Sequence, residues 1–240
     1  METDQSRPDD RGRRRSTFLE RLFLPHRKSH IVEWLVATAV LIIATLPVRP
    51  NRVSDAEEDI FHALNGLPGG ALEVFLSSVM QLGNVAFVAV ATIAALIARK
   101  IRFALDLFVA GTSAWVLAKI IKEIFQRGRP IDLLAEVTLR GDATSGLGFV
   151  SGHTAVAFAL ATIANSYLGT RARALVWVLA CIVGFGRIYV GAHLPLDVLG
   201  GAALGWAVGS LVHALLGTNR GITLQGDETD EPANSLEVPR

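Results

Sequence analysis

One cysteine, Cys181, is all that the 240 residues contain, and it lies inside an apolar run. No disulfide can close within the chain, and cysteine usage reports nothing about a redox compartment. Charge is scarce as well, at 19% of residues against 51% hydrophobic. It is also zoned, with long uncharged runs between short charged islands. That pattern excludes an ordinary soluble domain and reads as a polytopic membrane protein. The net charge of +1 therefore says little. No internal repeat and no secretory signal is visible. About thirty polar residues precede the first apolar run and no small-residue cleavage site follows it, so the first span is expected to be a retained anchor.

Six apolar stretches are long enough to cross a bilayer, near residues 31–48, 71–98, 103–125, 151–168, 174–192 and 196–216. Each is expected to be a helix, because lipid leaves the backbone no other hydrogen-bond partner. The expected fold is all-α, a six-transmembrane-helix bundle, with a turn or tilt in the second span. A basic segment (1–30) precedes the membrane domain (31–216), and an acidic tail without discernible chemistry (217–240) follows it.

Orientation follows the Lys and Arg residues. Arg11, Arg13, Arg14, Arg15, Arg21, Arg27 and Lys28 precede the first span. Arg99, Lys100 and Arg102 fall after the second, and Arg171 and Arg173 after the fourth. All share one side, which we assign as cytoplasmic together with both termini. The first outer loop holds Asp55, Glu57, Glu58 and Asp59 instead. Lys122, Arg127, Arg129 and Arg140 break the rule by lying on the outer side. Two flanking pieces look interfacial, and the second is expected to pack its amphipathic face against the bundle. One carries Phe18, Leu19, Leu22 and Phe23; the other opens on a possible Ser54/Glu57 capping box, presents Ile60, Phe61 and Leu64, and ends at Gly66.

The informative residues form three groups: Lys122 with Arg129-Pro130, then Ser151-Gly152-His153, then Arg187 with His193 and Asp197. On the six-span reading all three fall at the outer surface. Lys122 ends span three, Ser151 opens span four, and Arg187 to Asp197 bridge spans five and six. Three cations, two histidines and a carboxylate so gathered suit phosphoryl transfer, where negative charge spreads over the equatorial oxygens. Arg129 and Arg187 can grip oxygens with two prongs, while Lys122 acts as a point charge. Ser151 and Gly152 begin a helix, whose N–H groups attract anions. His193 is the expected nucleophile, oriented through its other ring nitrogen by Asp197. His153 is the expected general acid, later acting as base.

The pattern Lys-x6-Arg-Pro, Ser-Gly-His, Arg-x5-His-x3-Asp resembles the type-2 phosphatidic acid phosphatase superfamily of lipid phosphate phosphatases, related to vanadium-dependent haloperoxidases. With the six spans, the resemblance covers roughly residues 31 to 216. It implies a metal-independent phosphatase with no cofactor, working through phosphohistidine on a lipid phosphate reached from the membrane. The implied setting is the inner (plasma) membrane with an extracytoplasmic site. The implied substrates are polyprenyl diphosphate, phosphatidic acid or phosphatidylglycerol phosphate. Membrane lipids are the expected partners, and nothing points to nucleic acid. Two positions depart from the usual pattern: Val150 stands where Pro is common, and Gly186 where Ser is common.

Other readings stay open beside this one. One is a silent anionic-lipid binder or transporter using the same pocket, and another passes the phosphoryl group to an acceptor other than water. Arg127 reads as an interfacial snorkelling residue, and Lys119 as a partner of Glu123 at i+4. His26, His30, His62 and His213 read as surface or interface residues, and Asp106 and Glu33 as groups solvated at inner span ends. Gly201, Gly205 and Gly209 read as a helix-packing stripe.

Overall fold

The computed structural model describes residues 27–141 and 146–217. The expected interfacial stretch around Phe18 to Phe23, His26 and the acidic tail lie outside them. The described residues hold helices and no β-strand beyond one isolated bridge, Arg49 to Arg52. In chain order the helices are α1 (Arg27–Thr45), α2 (Asp55–Asn65), α3 (Ala71–Met80), α4 (Val85–Ile97), α5 (Ile101–Phe125), the short α6 (Pro130–Leu133), α7 (Gly152–Asn165), α8 (Thr170–Tyr189) and α9 (Pro195–Leu216).

Among the described residues three stretches are long and apolar enough to cross a membrane: Ile101–Leu133, Thr170–Tyr189 and Pro195–Leu216. The second expected span is broken. A 3₁₀ turn, Gln81–Gly83, separates α3 from α4, and the pair Ala71–Gly83 and Val85–Ile97 bends by 67°, making a fourth crossing if counted as one span. Asn84 starts α4 by accepting the Ala86 N–H at 3.0 Å. The first expected span is shorter, Ser29–Thr45, and the fourth becomes the 14-residue α7. From Thr154 to Ala164 every residue of α7 except Phe158 is buried. Its surroundings are mostly other helices, so its length answers to its neighbours more than to the bilayer.

Central α7 packs against α5, α8 and α9, while α1 packs along α9 and α4 along α5. Contact with α9 is close because α9 shows α7 its glycine stripe. A Cβ on Gly201 would lie 2.5 Å from the Ser151 carbonyl oxygen, and one on Gly205 2.2 Å from that of Ala155. Gly205→Val therefore has no room: we expect about 1–3 kcal/mol of destabilisation, read as a lower Tm in detergent. Outward-facing Ile43, Leu46, Ile97, Ile124 and Leu199 are exposed, as helix faces turned to lipid require.

Several expectations change at this level. Asp106 is fully buried, held by Arg102 Nε (3.0 Å) and the Tyr167 hydroxyl (2.6 Å). Arg102 also donates to the carbonyls of Leu216 and Gly217, so the cluster ties the end of α9 to α5 and to the segment after α7. His30 and His213 are buried with rings 5.1 Å apart, and His30 Nδ1 lies 3.2 Å from Glu33. Lys119 sits over the Trp115 ring at 3.8 Å, while Glu123 accepts from Gln126. On α2, Ser54 caps the Glu57 amide at 3.3 Å and Phe61 is buried, but Ile60 is half exposed. The Glu57 side chain does not close the capping box, for it is engaged elsewhere.

Candidate active site

The first motif lies where α5 ends. Gln126 adopts a left-handed conformation (φ 47°) that stops the helix, and the chain passes through Arg127, Gly128 and Arg129 to Pro130 at the first position of α6. Lys122, in the last turn of α5, donates to the carbonyls of Leu147 and Gly148 (3.0 Å to the latter). It thereby holds the segment that delivers Ser151. Arg129 Nε donates to the Gly146 carbonyl at 3.0 Å, and Nη1 lies 3.4 Å from that of Ala192, the residue before His193.

The third motif is a tight return between α8 and α9. Gly191 takes the positive φ of 78° that the turn needs. The amides of Ala192 and His193 both donate to the Arg187 carbonyl, each at 3.1 Å, so the backbone fixes His193 beside Arg187. Pro195 opens α9, and Asp197 caps it by accepting the Leu194 N–H at Oδ2 (2.9 Å). The same oxygen lies 3.4 Å from His193 Nδ1. That is the long end of a hydrogen bond. His193 is 2% exposed and Asp197 is fully buried.

The second motif is bonded directly to the third, because the Ser151 amide donates to the Asp197 carbonyl at 2.9 Å. Ser151 occupies the N-cap of α7 without capping it; its buried hydroxyl accepts the Thr154 hydroxyl proton at 3.0 Å. Val150, the departure preceding it, is fully buried. A Cβ on Gly152 would meet only the Ala118 Cβ, at 4.0 Å, so this glycine leaves open space at the helix start. Around His153 the acting charges are Arg187, Arg129 and Lys122. The fold thus brings all eight sequence-predicted residues to one end of the bundle. Arg187 is 9% exposed, and its Nε is buried with no hydrogen-bond partner among the described residues. A buried guanidinium N–H left open beside two further cations is a seat for an anion.

Three residues of this neighbourhood escaped the sequence reading. Arg127 is no snorkelling side chain: it is 1% exposed and bridges two carboxylates. Its Nη2 meets Glu57 Oε2 at 2.6 Å, and its Nη1 meets Glu57 Oε1 at 3.2 Å and Asp197 Oδ1 at 3.0 Å. Buried Glu57 also accepts the Leu196 N–H at 3.0 Å. Gly148 is the third, since a Cβ there would lie 2.6 Å from the Gly128 carbonyl and 3.0 Å from Asp197 Oδ2. One signal for the ion pair was available, as the sequence reading put Arg127 and Glu57, of opposite charge, on the same side of the membrane. The other departure, Gly186, faces away from this chemistry: a Cβ there would strike Met80 Cγ at 2.8 Å. A side chain at that position requires the Met80 side chain on α3 to shift. Arg140, also against the charge bias, is structural too, donating to the carbonyls of Asn65, Leu67 and Tyr189.

Burial, followed by the charges of Lys122, Arg187, Arg129 and His153, holds the His193 imidazole well below its usual pKa. The ring is neutral at neutral pH, the form in which an imidazole has a free lone pair. Since the folded pKa is depressed, the fold keeps this contribution above about pH 6.5. It is lost as pH falls further, when the unfolded imidazole takes the proton and the folded one does not. The expected result is a His193 titration midpoint below 6.5 by NMR of histidine-labelled protein. A midpoint at or above 6.5 contradicts it.

Residues 103–220, which contain all three motifs, match the PAP2 superfamily profile. The chain belongs to the PAP2 superfamily. Its fold is that of other PAP2 proteins. The crystal structure of Aquifex aeolicus LpxE superposes with a TM-score of 0.63 at 29% identity, covering 69% of this chain and 98% of that one. The transmembrane PAP2-type phosphatidylglycerolphosphate phosphatase from Bacillus subtilis superposes with a TM-score of 0.66 at 24% identity, covering 76% and 95%. Decaprenylphosphoryl-5-phosphoribose phosphatase from Mycobacterium tuberculosis is 37% identical over 114 residues, 45% of this chain and 60% of that protein. The match spans from 17% to 60% of the length of the curated relatives. With its apolar spans, this PAP2 chain is an integral membrane protein.

Proposed function

We propose that this PAP2 protein is a lipid phosphatase that releases phosphate from a lipid phosphomonoester or diphosphate. The observation that carries the reading is the buried His193–Asp197 pair lying in the field of Lys122, Arg129 and Arg187. A binder of anionic lipids needs the cations but has no use for a neutral imidazole backed by a carboxylate.

With Nδ1 turned to Asp197, His193 attacks phosphorus through Nε2. The P–O bond to the lipid breaks, and the leaving oxygen takes a proton from His153. Lys122, Arg129, Arg187 and the amides at the start of α7 hold the equatorial oxygens while charge builds on them. Asp197 stabilises the imidazolium character that His193 gains. Water then attacks phosphorus and gives its proton to His153, the P–N bond breaks, and orthophosphate leaves. In this reading six crossings place the site at the extracytoplasmic face of the plasma membrane, and neither a metal nor a cofactor takes part.

The test is phosphate release by purified protein in detergent with EDTA present, across polyprenyl diphosphate, phosphatidic acid, phosphatidylglycerol phosphate and lipid A. Acid-labile, alkali-stable labelling of the protein by a ³²P-substrate is the expected signature of phosphohistidine. Release that stops on chelation overturns the metal-free mechanism. No release from any of the four lipids sinks the phosphatase reading.

A further inference from the structure

The proposed mechanism stops at Asp197, but the buried charge network does not. Both oxygens of this carboxylate are committed: Oδ2 to the Leu194 amide and the His193 ring, Oδ1 to Arg127. Arg127 is in turn gripped by Glu57 through two contacts. Four side chains from α2, the turn after α5, the turn after α8 and α9 thus form one line, Glu57–Arg127–Asp197–His193, buried throughout.

Resting on the phosphatase reading, we infer that Glu57 and Arg127 are positioning residues that set the orientation and hydrogen-bonding strength of Asp197, and through it the tautomer of His193. Two physical reasons support this. First, a buried carboxylate demands a hydrogen-bonded cation. Lys122 and Arg129 donate to backbone carbonyls, and Arg127 is the cation that donates to the Asp197 carboxylate, at 3.0 Å. Shared between two carboxylates, Arg127 neutralises neither fully, so Asp197 keeps charge with which to hold His193 Nδ1–H. Second, Glu57 accepts the Leu196 amide, one of the orphan N–H groups of the first turn of α9. That turn carries Asp197, so Glu57 fixes both the backbone beneath the carboxylate and the cation in front of it. A helix outside the three motifs is thereby wired to the nucleophile.

The experiment uses the full chain in detergent with Glu57→Gln, Arg127→Met, Arg127→Lys and Asp197→Asn, alone and combined. Each is compared per folded protein, as judged by thermal unfolding. Glu57→Gln should lower kcat by about 10- to 100-fold, the usual loss when the partner orienting an active histidine is removed. KM and the Kd for inorganic phosphate should change by less than about twofold, since neither residue is placed in the anion pocket. Arg127→Lys should recover part of what Arg127→Met loses. On the Asp197→Asn background Glu57→Gln should cost little more, because residues acting as a unit are not additive. Independently of turnover, ¹⁵N shifts of the His193 ring should report an Nδ1–H tautomer in the wild type and a mixture in Glu57→Gln.

Wild-type kcat in Glu57→Gln with an unchanged His193 tautomer overturns the inference, and so does full additivity with Asp197→Asn. If Arg127→Met does not fold, Glu57→Gln, which preserves shape, carries the test. The two readings fail separately. A wild type that releases no phosphate sinks the phosphatase, while an active wild type with an indifferent Glu57→Gln sinks only the positioning role.

Discussion

His193→Ala should reduce phosphate release by at least about 10⁴-fold, with protein that still folds and still binds inorganic phosphate. Removing a nucleophile leaves only the binding and electrostatic parts of catalysis, and in hydrolytic triads single knock-outs of this kind cost up to roughly 10⁶. The fold should tolerate the change, because the backbone of the turn is fixed independently of the ring. The His193 amide donates to the Arg187 carbonyl, and the Leu194 amide is taken by Asp197. What the ring itself contributes is one 3.4 Å contact to Asp197 and its buried volume. Phosphate release and ³²P labelling must vanish together. A variant that loses labelling but keeps turnover shows that another group attacks phosphorus.

Arg187→Ala is expected to have the next largest effect, a fall in kcat of about 10³–10⁵, the range for a lone arginine facing a transferring phosphoryl group. The prediction rests on the buried Arg187 Nε, which has no hydrogen-bond partner among the described residues. A guanidinium so placed has paid its desolvation in advance and recovers it when charge develops on the phosphoryl oxygens. Arg187→Lys should restore charge without the two-pronged grip and so recover only part of the rate. If Arg187→Ala raises KM alone and leaves kcat untouched, the residue binds ground state and transition state equally.

Much of the site was legible in the sequence because motif residues and helix ends coincide. Lys122 closes one apolar run, Ser151 opens another, and His193 sits in the gap between two more, so hydropathy alone brought them together. The packing stripe of Gly201, Gly205 and Gly209 was legible for the same reason, as helical periodicity turns spacing into a face. Arg127 was misread because its meaning depends on Glu57, 70 residues earlier. Nothing local distinguishes a snorkelling arginine from one buried between two carboxylates. Asp106 and His30 were misread in the same way: polar residues near span ends look solvated until Tyr167 or His213 closes over them. Crossing length failed for α7, where contact with other helices replaces contact with lipid.

One consequence of the buried network concerns the membrane itself. Among the described residues Lys122, Arg127, Arg129 and Arg187 meet Glu57, Asp197 and, beside Arg129, Asp132, so positive charge exceeds negative at the site. A phosphomonoester or a terminal diphosphate brings about two negative charges; a phosphodiester brings one. The protein is immersed in phosphodiesters, since ordinary membrane phospholipids are of this kind and surround the pocket at far higher concentration than any phosphorylated lipid intermediate. Charge matching gives it a way to leave that solvent intact. On the phosphatase reading, a rare dianion gains more from this positive field than an abundant monoanion does, which makes the surrounding bilayer a poor competitor for the pocket.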